Sequence, residues 1–389
     1  MRLAEYDGKA LLRRHGLAVP CGILLRAGED PPESAAAWSG FFLKAQVLEG
    51  GRGKNGLVRR LQEIPEFRQA RRLILATLDD ADTPLLLEQA VPIAREIFVA
   101  VRIDATRQRL ELLLAPEGGE NVEISGKKPA RIPVEIDVPA TAEKIFPAAA
   151  QLFPRTLAAR LARYAARLPE IARQEDLQLL EINPLALTTD GSFVACDAKI
   201  VRDEAAGFRH ERADFSLSRG LAERAMTGLE REARDLGFQL VETAGDVALV
   251  TSGAGLAMLM MDLLADHGLR AASFMDNLQG AADETMNERL KIARALAARP
   301  AIKAIVFQTV IASRSLAERI EALVDWIKAE PLPKPLFVGL AAGHAATRKM
   351  SAQEAIERLR ALGVAAFSDP VELVKAVAQH CSLAAFATA

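Results

Sequence analysis

Hydrophobic and polar positions follow two different rhythms along this chain, and the change falls near residue 240. In the first part, Tyr6, Leu11, Leu12 and His15 recur at helical spacing, which predicts a short amphipathic helix over 5–15. Residues 22–25 read as a strand, 32–39 as a helix, and 41–47 as a strand with Lys44 and Gln46 on one face. Leu57 and Val58 begin a second strand after a glycine-rich stretch. Residues 85–90, 95–104 and 109–114 read as an antiparallel meander, 117–140 as an irregular loop, and 141–176 as helical. Two apolar runs, 180–187 and 193–200, then flank Thr188-Thr189-Asp190-Gly191-Ser192, and Asp-Gly between such runs is a hairpin signal. Residues 201–240 are polar and helical, a connector. From there strands over 246–251, 271–274, 304–307, 335–340 and 364–367 alternate with helices over 256–267, 283–297, 315–328, 351–361 and 370–380. That alternation predicts a parallel, doubly wound, flavodoxin-like α/β domain after an α+β first half. The boundary is expected at 235/236, giving domains 1–235 and 236–389.

Composition narrows the class without changing this picture. With 389 residues, 50% hydrophobic and 26% charged, the chain has ample core for two domains. The formal net charge of -2 gives no bias towards nucleic acid or an acidic membrane. Cys21, Cys196 and Cys381 are far apart and form no CxxC, so neither a disulfide framework nor a zinc site is indicated. Residues 1–7 carry no apolar signal core and no uncharged run approaches the ~20 residues of a membrane span. A cytoplasmic protein is expected.

The hairpin is the first candidate for chemistry. A three-residue loop, Thr189-Asp190-Gly191 with Gly191 left-handed, sets Asn183 opposite Asp197 and Glu181 opposite Lys199. One carboxylate and one amide oxygen then converge, a donor pair suited to magnesium carried with a nucleotide. A two-residue turn shifts the pairing by one and sends Asp197 to the other face from Asn183. The second candidate is Gly50-Gly51-Arg52-Gly53-Lys54, which is neither GxxxxGK[ST] nor GxGxxG. A glycine hairpin whose backbone N–H groups meet phosphates, with Lys44, Arg52 and Lys54 adding charge, accounts for it, and so does a flexible basic hairpin without a ligand. Glu88 and Glu96 bracket a connection able to read a base edge, or are solvated strand residues. In the second half, Ser252-Gly253-Ala254-Gly255 opens a helix at the carboxyl edge of the sheet, an anion site by geometry.

Taken together, these motifs resemble the β subunit of succinyl-CoA synthetase. The segments Leu3-Ala4-Glu5-Tyr6 with Gly8-Lys9, 44–54, Leu87-Glu88, Arg95-Glu96, 180–185 with Asp197, and 253–258 all fall in the family's order. The resemblance implies an ATP-grasp first domain that binds ATP (or GTP) with Mg²⁺. Lys44, Gly51, Arg52 and Gly53 are then the phosphate contacts, Glu88, Val91 and Glu96 the nucleotide pocket, and Asn183 and Asp197 the metal ligands. Glu181 is similar to the family acid that faces a phosphohistidine, and Arg52 helps neutralise the transferring phosphoryl group. It also implies a partner, an α subunit carrying that histidine and the CoA site, in an αβ or (αβ)2 assembly. None of His15, His210, His267, His344 and His380 sits in a glycine loop of the kind expected for such a residue.

The acyl-acid region departs from the family pattern. Ser252 stands where an Asn precedes Gly253, the run of three glycines is replaced by 275–280, and 307–315 has no glycine. Three readings follow. A di- or tricarboxylic acid, succinate- or malate-like, meets side chains such as Gln308, Ser313 or Arg314, with Ser252 and Gly253 beside it. Alternatively the acyl site is degenerate and the chain is a nucleotide-binding regulatory subunit. Thirdly, it is a stand-alone ATP-grasp carboxylate–amine ligase.

Overall fold

A computed structural model describes residues 1–119, 128–134, 137–210, 215–251, 253–277, 285–311, 316–343, 347 and 349–387. The chain divides into two compact units, Met1–Glu223 and Arg224–Ala389.

The first unit opens with helix α1 (Glu5–Arg14). Strands β1 (Gly22–Leu25), β2 (Phe41–Ala45) and β3 (Val58–Leu61), helix α2 (Phe67–Leu78) and strand β4 (Leu85–Gln89) follow. The strands form an antiparallel sheet in the order β1-β4-β2-β3. Phe67, Ala70 and Ile74 form one stripe of α2 and pack on Phe41, Leu43 and Leu87, while Arg68 and Arg71 turn outward. The helix expected over 32–39 is instead a five-residue 3₁₀ turn, Glu33–Ala37. It has no side-chain cap and buries only Ala35, too little apolar surface to hold a longer helix.

A second antiparallel sheet is built from β5 (Ile93–Asp104), β6 (Arg109–Ala115), β7 (Ala130–Pro133), β8 (Leu177–Thr188), β9 (Phe193–Ala195) and β10 (Lys199–Arg202). Its order is β10-β8-β5-β6-β7, with β9 on β8. Helices α3 (Val138–Leu152), α4 (Arg155–Ala165) and α5 (Arg167–Gln174) cover one face. Ile97, Val99 and Val101 of β5 and Leu180 and Ile182 of β8 join Leu11 and Leu12 of α1 in that core. The loop expected over 117–140 is thus shorter, because Ala130–Pro133 pairs with β6 and α3 starts at Val138, capped by the Asp137 carboxylate on Ala140 N at 2.9 Å.

Helix α6 (Ser216–Ala225) spans the division between the units. The polar stretch that reads as a connector does not stay outside the second core. Helix α7 (Gly228–Asp235) buries Ala233 beside Phe238 and Leu240 of β11 (Phe238–Glu242). The remaining elements alternate as expected. They are β12 (Val247–Thr251), α8 (Ala254–Asp266), β13 (Ser273–Asn277), α9 (Thr285–Ala297), β14 (Ala304–Ile311), α10 (Leu316–Ala329), β15 (Leu336–Ala342), α11 (Ala352–Arg360), β16 (Ala365–Phe367) and α12 (Pro370–Ala387). Strands β12-β14-β15-β16 are parallel. On the other side of β12, Ala271 pairs parallel with Val247, and Ser273 Oγ donates to Leu249 O at 2.9 Å. The order β13-β12-β14-β15-β16 is the doubly wound, flavodoxin-like one, with β11 antiparallel outside β13. Met260 of α8 and Val374 of α12 fill one face, and α9, α10 and α11 fill the other. Among the described residues no helix is long and apolar enough to cross a membrane.

Candidate functional site

The hairpin β8–β9–β10 fixes the site, and its register is the one given by the three-residue loop. Leu185 pairs with Ala195 and Glu181 with Lys199, so Asn183 and Asp197 take corresponding positions between these rungs. Gly191 has φ +87°, its N–H donates to Thr188 O at 2.9 Å, and Thr188 N closes the loop on Ser192 O. A two-residue turn is therefore not used. The Asn183–Pro184 peptide is cis, and Cys196 N donates to Pro184 O at 3.1 Å.

The glycine-rich connection between β2 and β3 winds into tight turns. Asn55 N donates to Gly51 O and Leu57 N to Arg52 O, and the chain returns as Ala45 N donates to Leu57 O. This turn places Arg52 under the hairpin, where its Nη2 donates to Asp197 Oδ1 at 2.7 Å.

Below it lies a cluster of six charges, four of them buried (Glu5, Lys9, Lys44 and Glu88) and two, Arg52 and Asp197, half-buried. On α1, Glu5 and Lys9 stand one turn apart on the same face and pair at 2.6 Å. Lys9 Nζ also lies 2.6 Å from Glu88 Oε1 and donates to Cys196 O at 2.8 Å. Lys44 Nζ meets Glu5 Oε1 and Glu88 Oε2 at 2.7 Å each and donates to the same Cys196 O at 2.8 Å. Arg52 Nη1 is 2.7 Å from Glu5 Oε2. Three carboxylates, Glu5, Glu88 and Asp197, face three cations, Lys9, Lys44 and Arg52. Both lysines have all three ammonium donors committed.

Electrostatics follows from this packing. Burial alone raises the Glu5 carboxyl, but Lys44, Lys9 and Arg52 outweigh it and hold the group well below the usual carboxylate range. Burial lowers Lys44, and Glu5 and Glu88 more than reverse it, so the ammonium stays charged. Asp197 is the exception. Burial first and then the Glu5 charge push its carboxyl up, with Arg52 only partly offsetting them. Burial pushes the Cys196 thiol up to about 11, which keeps it protonated and unreactive at neutral pH.

One cavity of about 730 Å³ joins these parts. Lys44, Gly51, Arg52 and Gly53 line it from the first sheet, and Glu88, Val91 and Glu96 from the strand connection. Glu181, Asn183 and Asp197 line it from the hairpin. Asn183 Oδ1 accepts from Gly119 N at 2.6 Å. Gly119 has φ +70°, and a β-carbon on it would lie 2.6 Å from Glu96 Oε2, so the glycine lets the loop pass between Asn183 and Glu96. As a magnesium site, this end offers the Asn183 amide oxygen and an Asp197 carboxylate whose Oδ1 is already bonded to Arg52 and Ala198 N. A divalent cation at such a carboxylate relieves the penalty that pushes Asp197 up, so the donors fit an ion that brings its other ligands as phosphates and waters. Among the described residues no three His, Cys, Asp or Glu side chains cluster as a self-contained metal cage.

Two members of the cluster, Glu5 and Lys9, are not among the residues singled out as site residues from sequence. The signal was present: both charges fall on the face of α1 that carries Leu12, where a solvated pair has no place. In the second unit Gly253 precedes α8 at the carboxyl end of β12. Ser252, Ser313 and Arg314 lie outside the described residues. Gln308 is buried in register with Thr251, and its Oε1 has no partner among the described residues.

A family model described as an ATP-grasp domain matches residues 2–187. The chain is 32% identical over 388 residues to the β subunit of an ADP-forming succinate–CoA ligase of Methylobacillus flagellatus, covering 94% of this chain and 97% of that one. It is 32% identical over 308 residues to the corresponding Bacillus subtilis subunit, covering 75% and 79%. Among solved structures, the ATP citrate lyase of Methanothrix soehngenii in complex with citrate and coenzyme A superposes with a TM-score of 0.69 at 17% identity. That match covers 97% of this chain and 100% of the other, a likeness of fold.

Proposed function

The chain belongs to the family of succinate–CoA ligase β subunits, and from that premise we propose that it is the nucleotide-using subunit of an ADP-forming acid–CoA ligase. The observation that carries this reading is the single cavity in which the glycine turns, Glu88, Val91 and Glu96, and the hairpin oxygens meet. ATP lies there with its phosphates on the backbone of Gly51 to Gly53. Asn183 and Asp197 are the residues that hold Mg²⁺, which when bound neutralises phosphate charge. Arg52 joins that end to the glycine turn and fixes the Asp197 carboxylate.

The reaction is divided between two chains. A histidine nitrogen of an α-type partner forms a P–N bond as the bond to the departing ADP oxygen breaks. Glu181 faces that imidazole and takes the proton of its other ring nitrogen. The phosphoryl group then passes to a carboxylate oxygen of the acid, and the CoA sulfur displaces phosphate to form the thioester. Catalysis in this half is positioning and charge neutralisation. The acid is a di- or tricarboxylate, succinate- or malate-like, at the carboxyl edge of the second sheet near Gly253, where Gln308 supplies a side-chain contact. The assembly is αβ or (αβ)2, in the cytoplasm.

The test is the chain co-purified with its α-type partner and assayed for ADP release from ATP against a panel of di- and tricarboxylates. Release that needs one acid and CoA is expected. Failure of every acid in the panel to give ADP release overturns the enzyme reading in favour of a regulatory subunit. Release that needs an amine in place of CoA points to a carboxylate–amine ligase.

A further inference from the structure

The charge count of the cavity leaves the terminal phosphate without a donor from Lys44. That ammonium is fully used by Glu5, Glu88 and the Cys196 carbonyl. Arg52 is divided between Glu5 and Asp197. Lys54 also lines the cavity and already has a partner. Two other cations line the cavity with no partner among the described residues, Arg2 and Lys199. Lys199 opens β10 directly across from Glu181. A side-chain carbon placed on Gly50 would sit 3.6 Å from Lys199 Nζ, so the ammonium lies against the first glycine of the turn. It is exposed, in contrast to the buried Lys44. Lys199 and Val201 line the cavity, and Ile200 between them is buried in the core of the second sheet. Arg2 bridges to Val201, two positions further along the strand.

We propose that Lys199 contacts the terminal phosphate of the bound nucleoside triphosphate. Its uncommitted charge sits between the glycine turn that holds the phosphates and the acid that faces the acceptor. Lys199 is then the cation that distinguishes triphosphate from diphosphate. This assignment rests on the nucleotide reading above. A compact ammonium on a flexible stem suits a group that must bind one phosphate and release it after transfer.

The experiment uses the full chain and two probes, Mg·ATP and Mg·ADP, each titrated in competition with a fluorescent nucleotide. Lys199→Met is expected to weaken Mg·ATP by about 10- to 100-fold, the worth of one charge-assisted contact, and to leave Mg·ADP within about twofold. Lys199→Arg keeps most of the preference. Arg2→Met leaves it unchanged. Thermal unfolding of each variant checks the fold, and an exposed lysine predicts little change. A Lys199→Met chain that keeps its triphosphate preference, or loses affinity for both nucleotides equally, overturns the assignment, as does loss of the preference in Arg2→Met instead. A parent chain that binds neither nucleotide overturns the nucleotide site itself.

Discussion

Removing the Glu5 charge leaves Lys9, Lys44 and Arg52 facing only Glu88 and Asp197. Glu5→Gln is nearly isosteric, so its effect reports charge rather than volume. It is expected to cost about 3–5 kcal/mol, the range for breaking a buried pair by removing one partner. Urea unfolding monitored by circular dichroism reads this as a lower midpoint at constant m. Asp197→Ala acts differently. Its carboxyl is disfavoured by burial and by Glu5, so its loss leaves the unfolding midpoint nearly in place while Mg-dependent ATP affinity falls at least about tenfold. The motif residues Lys44, Glu88 and Asp197 are legible in the sequence because each lies in a glycine turn or a strand of recognisable pattern. Glu5 and Lys9 are harder to see. An i,i+4 pair reads first as a surface helix pair, and the one sign against it is that Glu5 and Lys9 share the face of α1 that carries Leu12.

At the scale of elements, alternation and turn chemistry carry most of the information. The strands of both halves fall close to their expected positions, because β-branched and leucine-rich runs bounded by Gly, Pro and Asp have few other solutions. The hairpin register rests on local chemistry alone: Asp190 Oδ1 accepts from Ser192 N at 3.0 Å and Gly191 takes the left-handed position. What the sequence hides are short elements set by tertiary contact. Strand β7 exists only as an addition to β6, and the turn over Glu33–Ala37 lacks apolar surface to grow. Two elements also give tests of packing. A β-carbon on Gly339 in β15 would lie 1.6 Å from Gln308 Oε1 in β14. Gly339→Ala is therefore expected to cost about 1–3 kcal/mol, and adding Gln308→Ala to recover more than half of it in a double-mutant cycle. At the end of β11, Glu242 accepts from Thr227 Oγ1 and pairs with Arg299. The hydrogen bond from Arg299 leads the effects that lower its carboxyl below 4.5. A lowered folded-state value stabilises the fold above the unfolded value near 4.5 and loses that contribution as pH falls through the folded one. Glu242→Gln should flatten the acid limb of the stability–pH curve below about pH 4.5.

For the whole molecule, separate cores predict separate melting. The cores of the first unit draw on residues up to Phe215, and those of the second begin at Ala233. Calorimetry of the intact chain is expected to resolve two transitions. Mg·ATP at 100 times its dissociation constant should stabilise only the first unit, by about 2.7 kcal/mol. One merged transition that rises as a block would show the units to be coupled. The charge cluster also has a place in time. Lys9 reaches the Cys196 carbonyl across 187 residues of chain, and Ala4 N reaches Ser218 Oγ across 214. At typical rates of synthesis that interval is about 10–40 s. Lys44, Arg52 and Glu88 emerge early in that interval, whereas the Cys196 carbonyl and Ser218 that complete the seat of α1 come only at its end. Helix α1 is thus among the last pieces of its unit to lodge, and a chain that stalls before the hairpin emerges has no completed seat for it.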